Sequence, residues 1–198
     1  MNDSFTAALD RLKAMEADLG RMLEEQRKTF HYTIDKGRVR FEAAARERHK
    51  RFRSSILRTL ARAGPRRLAA GIVIYLQIVP LVLLDLAVTL FQHVSVPIFG
   101  IARVSRRDFI AIDRHRLAYL NAIEKINCVY CGYANGLLAY AREIAGRTEE
   151  HFCPIKHARV MQGLHRRYHD FADYGDAEGF RNKSATVDAK AAARLGEG

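Results

Sequence analysis

The chain has 198 residues, with 33 Lys and Arg against 22 Asp and Glu, so its formal net charge is +11. Apolar residues make up 48% of the chain, which excludes a broadly disordered protein. Three cysteines are too few for a secreted disulfide scaffold. The first 60 residues are highly charged and contain no apolar stretch typical of a signal peptide. These features predict an intracellular, basic protein.

Residues 1–63 are predicted to form a charged helical arm. We expect one helix over 3–34 and a second, amphipathic helix over 38–62, with Gly37 as the break between them. In the first helix, apolar residues recur at the alternating spacings of three and four that a coiled coil requires. They are Leu12, Met15, Leu19 and Met22. The arm is therefore expected to associate with a second copy, giving a homo-oligomer.

The positive charge is concentrated in residues 35–67. This segment carries twelve Lys and Arg but three Asp and Glu, so it supplies +9 of the total +11. Basic side chains near an anionic bilayer each contribute about 1 kcal/mol of attraction. Nucleic acid is a less favoured partner, because aromatic residues for base stacking are sparse here. We expect the segment to bind anionic membrane lipid.

Residues 64–104 form an apolar segment that is predicted to insert into a membrane. From Leu68 to Phe91, only Gln77 and Asp85 are strongly polar, and about 20 apolar residues suffice for a helix to cross a bilayer. An ionised Asp85 would be costly at the bilayer centre. We therefore expect it to lie close to the interface, to be paired with Arg103 or with a basic residue of a neighbouring chain, to be protonated, or to face another subunit.

Arginines flank the apolar segment on both sides, which favours a cytoplasmic location for both of its ends. With this orientation a re-entrant segment or tight hairpin fits better than one simple crossing, and Pro80 and Pro97 are the natural break points. Spanning and re-entrant insertion both remain open from the sequence. The expected location is a bacterial inner membrane, with both termini and the following cysteine-containing module in the cytoplasm.

Residues 105–170 contain all three cysteines and are predicted to form a helical metal-binding module. Cys128 and Cys131 are separated by two residues, and Cys153 and His157 by three. Three thiolates and one imidazole complete a tetrahedral zinc site. We expect a helical hairpin to bring the two pairs together, with a loop over 146–152 and a second helix beginning near Pro154.

Three other interpretations of the cysteines remain open. The four side chains are also compatible with an iron–sulfur cluster. Cys128 and Cys131 alone could form a redox dithiol, although the βαβ context of thioredoxin-like proteins is missing. All three cysteines could instead be small buried apolar residues.

The block from Asp113 to Ala158 contains the sequences NCVYCGYANG, REIAGRTE and CPIKHA. It resembles a family of uncharacterised bacterial membrane-associated proteins. The resemblance covers the apolar segment onward and not the N-terminal arm. It implies membrane association and supplies no activity.

The sequence as a whole predicts an all-α protein whose tail, residues 171–198, is mobile. No phosphate loop, GxSxG elbow or HExxH motif is present, which favours a non-enzymatic protein. The preferred function is a membrane-anchored scaffold or interaction protein with a structural zinc site. The alternatives are a membrane redox protein, using an iron–sulfur cluster or the dithiol, and a lipid- or metal-handling protein.

Overall fold

The computed structural model describes residues 3–29, 32–35, 38–41 and 43–196. The chain is helical apart from one short β-ribbon, and it divides into two compact units. The first unit comprises Met1–Arg62 and Asp113–Asn127, and the second comprises Ala63–Ile112 and Cys128–Gly198. The elements in chain order are α1 (Asp3–Thr29), β1 (Tyr32–Asp35), β2 (Arg38–Phe41), α2 (Ala43–Lys50), α3 (Ile56–Leu76), α4 (Ile78–Ile98), α5 (Ala122–Phe152) and α6 (Ala177–Gly196). Single 3₁₀ turns lie at Arg106–Asp108, Arg114–Arg116 and Arg166–Asp170.

The ribbon corrects both predicted helices of the arm, over 3–34 and over 38–62, because α1 ends at Thr29 and two strands follow it. β1 and β2 pair antiparallel, with Asp35 opposite Arg38. The predicted break at Gly37 lies outside the described residues. The strands are rich in β-branched and aromatic residues that suit a pleated ribbon. Helix therefore resumes only at α2 and α3.

Asn121 organises the first unit at the start of α5. Its backbone N–H donates to Glu124 Oε2 at 2.8 Å, and the Glu124 N–H donates to Asn121 Oδ1 at 3.0 Å. This reciprocal pair satisfies two backbone donors at the helix start, as a capping box does. The buried Asn121 amide also donates to the hydroxyls of Thr59 and Ser54, at 2.8 and 3.1 Å. The Asn121 side chain thus caps the start of α5 and also binds the start of α3.

The apolar segment is a continuous helix rather than a hairpin. After a kink at Gly64 (φ 68°, ψ 165°), the chain stays helical through Gln77 (φ −63°, ψ −10°) into α4. Pro80 lies in the first turn of α4, where proline is tolerated. Pro97 is the penultimate residue of α4, and the helix ends there. Neither proline reverses the chain, which corrects the expected re-entrant or hairpin path.

The core of the second unit lies between α4 and α5. Its buried residues are Val104, Leu137, Tyr140 and Ile144, with Leu81, Leu84, Val88, Phe109, Ile110 and Tyr133 packed against them. The segment after α4 crosses α5 closely at Gly136, where a Cβ would lie 2.7 Å from the Phe109 carbonyl oxygen. Only glycine permits this contact, so the small residue at Gly136 determines how closely the two segments approach.

The C-terminal segment also differs from expectation. The predicted mobile tail, 171–198, contains helix α6, which is 20 residues long. Ala191 of α6 is buried, and its carbonyl oxygen would lie 2.5 Å from a Cβ at Gly100. The alanine-rich sequence favours a helix, and its contact at Gly100 holds that helix against the second unit.

Candidate functional site

The predicted metal ligands lie on the surface of the second unit. Cys128 and Cys131 are one helical turn apart on α5, with Cys128 half-buried and Cys131 exposed. Cys153 follows the last residue of α5 and is exposed. His157 lies in the loop after it and is also exposed.

The structure does not bring these four residues together. Helix α5 is unbroken for 31 residues and includes residues 146–152, which were predicted to form a loop. At 1.5 Å per residue, Cys131 and Cys153 lie roughly 33 Å apart along the helix. No second helix begins at Pro154, which is buried in an irregular segment. The four residues therefore do not fit one zinc ion or iron–sulfur cluster within a single chain. Among the described residues, no group of three or more metal-ligating side chains is present.

The REIAGRTE sequence instead holds the segment that follows α5. Arg142 donates to the Leu164 carbonyl, and Glu149 Oε2 lies 2.8 Å from Nε2 of His165. Gly146 lies beneath the His165 ring, where a Cβ would come within 2.8 Å. These contacts dock residues 164 and 165 onto the helix, and they explain why a glycine occurs within α5.

Glu143 and Arg147 extend the same polar network. Glu143 Oε1 accepts from Arg147 at 2.8 Å and from Arg167 at 2.9 Å. Arg147 also donates to the carbonyl oxygens of Ala102 and Arg103, at 2.8 and 3.0 Å. The network therefore connects α5 to the segment after α4 as well as to the segment after α5.

The CPIKHA sequence, which follows α5, contacts residues 168–173. Ile155 makes an isolated parallel bridge to Ala172, and Lys156 Nζ lies 2.8 Å from Asp173 Oδ1. The Lys156 ammonium lowers the pKa of the Asp173 carboxyl, chiefly through this hydrogen bond. The backbone N–H of His157 donates to the Tyr168 hydroxyl. This sequence thus supports packing of the second unit.

Asp85 is paired, which is one of the alternatives that the sequence left open, and its partner is Arg106 rather than Arg103. The Arg106 guanidinium donates to both carboxylate oxygens, at 2.7 Å for Oδ2. Tyr133 donates to the same Oδ2 at 2.8 Å, and Thr89 donates to Oδ1 at 3.3 Å. The Asp85 hydrogen bond raises the pKa of Arg106. Burial raises the pKa of Tyr133, and its bond to Asp85 adds to that effect. The pairing neutralises the one carboxylate of the apolar helix.

A second polar contact lies on the same side of α4. Gln92 is 3% exposed and bonds both to Tyr140 and to the backbone N–H of Val104. Asp85, Thr89 and Gln92 are spaced by four and three residues, so they lie on one helix face. The sequence-based expectations for Asp85 did not include this spacing. It was the available signal that α4 has a partner helix with complementary polar groups.

The opposite side of the apolar helix is exposed to solvent. The helical stretch Ile56–Ile98 is long and apolar enough to cross a membrane, with a mean hydropathy of 2.3 over its most apolar window and none of that window buried. It is the one such stretch within the described part of the chain. Its exposed large apolar residues include Leu68, Ile72, Val73, Leu76, Val79, Leu83, Leu86, Leu90, Val94 and Ile98.

The basic residues before this helix and in its first part are also exposed. They are Arg46, Arg48, Lys50, Arg51, Arg53, Arg58, Arg62, Arg66 and Arg67. The structure thus presents an uncovered apolar surface immediately after an uncovered basic segment. Comparison with known proteins adds no further assignment, because no family model, no curated protein and no solved structure matches the chain.

Proposed function

We propose that this protein is a non-enzymatic, membrane-associated scaffold that is anchored by residues 65–98. The supporting observation is the exposed apolar helix surface. Leu83, Leu86 and Leu90 remain 62 to 66% exposed after α4 has packed on α5. Soluble monomers rarely expose a continuous apolar patch of more than a few hundred Å². Hydrocarbon is the environment that would cover this surface without loss of hydrophobic free energy.

The basic residues before the helix support a lipid partner of negative charge. Nine exposed Lys and Arg lie between residues 46 and 67, and Glu47 is the one acid in that range. Each cation near an anionic leaflet contributes about 1 kcal/mol, within a range limited by salt screening. Anionic phospholipid is therefore the partner that we propose for this segment.

The unbroken helix suggests how the protein lies on the membrane. Residues 65–98 are roughly 51 Å long at 1.5 Å per residue, whereas the hydrocarbon core is about 30 Å thick. Basic residues flank both ends, which favours the same side for both. A straight helix meets both conditions by lying along the interface, with its α5-packed side toward the protein. We therefore propose in-plane insertion with both flanks in the cytoplasm.

The exposed stripe on α1 supports the scaffold role. Four apolar residues at coiled-coil spacing are more than half exposed, and they are Leu12, Met15, Leu19 and Met22. A second copy of α1 would bury this stripe. In detergent, the double variant Met15→Lys and Leu19→Lys is expected to lower the mass measured by light scattering. An unchanged mass would argue against oligomerisation through the arm.

Vesicle flotation tests the membrane anchor. The double variant Leu83→Asp and Leu90→Asp places two charges on the exposed side of α4, each costing about 2.5–3.5 kcal/mol at the bilayer centre and less nearer the interface. We expect the wild type to float with vesicles of phosphatidylcholine and phosphatidylglycerol and the variant to remain in the soluble fraction. Val160→Asp is the matched control, because Val160 is 99% exposed but lies outside the helix. A wild type that stays monodisperse without detergent and does not float would refute the proposal.

Thiol labelling tests the orientation. Ser55→Cys and Ser105→Cys, each made in a chain whose native cysteines are replaced by serine, place one exposed thiol before and one after the apolar helix. In sealed vesicles, in-plane insertion makes both positions accessible from the same side to a maleimide that cannot cross the bilayer. Labelling of one position from each side would instead establish a single crossing.

A further inference from the structure

A cavity of about 200 Å³ lies in the second unit, bounded by the turn that ends α4, the C-terminal part of α5 and the C-terminal half of α6. This is far larger than the roughly 10–15 Å³ that admits one water molecule. All of its walls belong to one compact unit. It is distinct from both the predicted cysteine site and the exposed apolar surface.

The charged side chains that line the cavity are predominantly cationic. Arg147, Arg167, Lys190 and Arg194 contribute four positive charges, and Glu150 is the one carboxylate among the described lining residues. Four cations against one carboxylate leave a net charge of +3. A concave surface of one sign focuses the electrostatic potential and concentrates counter-ions.

Two of these cations are already engaged in the fold. Arg147 donates to two backbone carbonyls and to Glu143. Arg167 donates to Glu143 at 2.9 Å and lies 3.5 Å from Glu150. These arginines are held in place by contacts within the fold, and both residues line the cavity.

The other two cations have no carboxylate partner among the described residues. Arg194 donates to the Gly100 carbonyl at 3.3 Å, and Lys190 is exposed on the same helix face, one turn earlier. Arg147 and Arg194 donate to carbonyl oxygens just after the end of α4, so these two arginines have a structural role. Lys190 has no such contact among the described residues, and the fold does not explain its positive charge.

We propose that this cavity binds a phosphate-bearing anion. Planar guanidinium groups match the oxygen geometry of phosphate, and a lysine adds a point charge. The shared chemistry is a phosphate group, whether free in solution or part of a phospholipid headgroup. Gly100 lies two residues after the end of α4, so a headgroup beside the apolar helix could reach the cavity. Only this lipid source depends on the proposed membrane anchoring.

The experiment uses the full-length protein in a neutral maltoside detergent. Inorganic phosphate is titrated calorimetrically against a sodium chloride control of equal ionic strength. Mixed micelles containing dihexanoyl phosphatidylglycerol are compared with micelles containing dihexanoyl phosphatidylcholine. Lys190→Glu is the test variant. Lys183→Glu is the matched control, because it makes the same charge change two turns earlier on α6 but does not line the cavity.

Either of two results would support the proposal. Phosphate binding that Lys190→Glu weakens at least about ten-fold, while Lys183→Glu keeps it near wild type, indicates a free phosphate ligand. If the protein binds phosphatidylglycerol but not inorganic phosphate, and Lys190→Glu weakens that binding while Lys183→Glu does not, the ligand is a phospholipid headgroup. Arg194→Gln should reproduce the loss, with helix content unchanged by circular dichroism.

Two results would overturn it. The first is wild-type protein that binds neither phosphate nor phosphatidylglycerol. The second is equal weakening by Lys183→Glu and Lys190→Glu, because this would show a nonspecific effect of overall charge. Since inorganic phosphate binding needs no membrane, failure of the vesicle flotation test would leave this measurement valid.

Discussion

Gln92 of α4 and Tyr140 of α5 are joined by a buried hydrogen bond, with the glutamine Nε2 donating to the tyrosine hydroxyl at 2.7 Å. The glutamine Oε1 accepts from the backbone N–H of Val104 at 2.8 Å. One side chain therefore connects two helices and the segment that follows the first of them. The Tyr140 hydroxyl and the Val104 N–H cannot bond to water instead, since Tyr140 is 1% exposed and Val104 is 5% exposed.

Replacing Gln92 with leucine should destabilise the protein by about 2 kcal/mol or more, because the Val104 N–H and the Tyr140 hydroxyl would be left buried without partners. Tyr140→Phe should cost about 1 kcal/mol. The measurement is equilibrium unfolding in detergent, followed by circular dichroism. Gln162→Leu, at an exposed glutamine, should change stability by less than about 0.5 kcal/mol. If Gln92→Leu had an equally small effect, the buried contact would not stabilise the unit.

The Asp85–Arg106 pair should show energetic coupling in a double-mutant cycle. Asp85→Asn, Arg106→Gln and the double variant are expected to give a coupling energy of about 1–3 kcal/mol, since both guanidinium bonds are charge-assisted. Arg106 is 43% exposed on its side chain, which places the expectation at the lower end of that range.

Arg107→Gln provides the control for this cycle, because Arg107 is an exposed neighbour of Arg106. It should show no coupling with Asp85→Asn. Comparable coupling for Arg106 and Arg107 would indicate a general charge effect rather than the observed pair.

Two glycines in helices should respond in opposite directions to alanine. At Gly136 a Cβ would meet backbone atoms of Phe109 and Ile110 at 2.7 and 2.8 Å, so the neighbouring segment would have to move. Gly136→Ala should destabilise the protein by about 1–3 kcal/mol. At Gly71 no atom lies within 4 Å of the added Cβ. Gly71→Ala should therefore stabilise it by up to about 1 kcal/mol through helix propensity.

Unfolding measurements on both glycine variants decide this prediction. A stabilising Gly136→Ala would show that residues 109 and 110 do not pack on α5 as described. A destabilising Gly71→Ala would indicate a close neighbour at that position, such as a second helix.

Mild oxidation should not form a disulfide between Cys131 and Cys153 of one chain. Their separation of roughly 33 Å along α5 far exceeds the 7 Å limit between Cα atoms that a disulfide can bridge. Both thiols are exposed, so oxidation should give disulfides between chains. Peptide mass spectrometry after copper–phenanthroline treatment checks this. A Cys131–Cys153 link within a monomer would restore the hairpin that the sequence analysis expected.

Zinc content provides a related check. A monomer with all four residues intact should hold no zinc with the Cys128, Cys131, Cys153 and His157 ligand set, because α5 keeps the pairs apart. X-ray absorption at the zinc edge, on protein separated by size, measures both content and ligands. One zinc per monomer with three sulfur ligands would contradict the continuous helix.

The sequence predicted the helical character and the apolar segment, because both depend on local pattern. The cost of an isolated charge placed pairing among the alternatives for Asp85 but did not select it. The sequence also predicted a helix around Cys128 and Cys131. The errors arose where tertiary contacts decide the local structure. Gly146 suggested a loop, but it is a glycine because His165 packs against α5 at that point. The polar residues that follow it pair with segments distant in sequence, and one chain gives no direct sign of such pairings.

The β-ribbon and α6 were missed for different reasons. The expectation for residues 35–67 was based on their positive charge. The strand pattern lay in the β-branched residues of β1 and β2, which that expectation did not consider. In α6, alanine-rich sequence was a helix signal, but its position near the C-terminus suggested a mobile tail. The cation cluster beside Gly100 was not predictable, because its members come from α5, the 3₁₀ turn Arg166–Asp170 and α6.

The distance along the chain between α4 and its partner has a consequence for synthesis. Gln92 and Tyr140 are 48 residues apart, and ribosomes add about 5–20 residues per second. The apolar helix is therefore complete for roughly 2–10 seconds before the helix that covers its inner side has been made. During that interval the side of α4 that packs on α5 lacks this partner, so a bilayer that reached the helix then would meet its inner as well as its outer side. Delivery to a bilayer and folding of the second unit would then occur in that order.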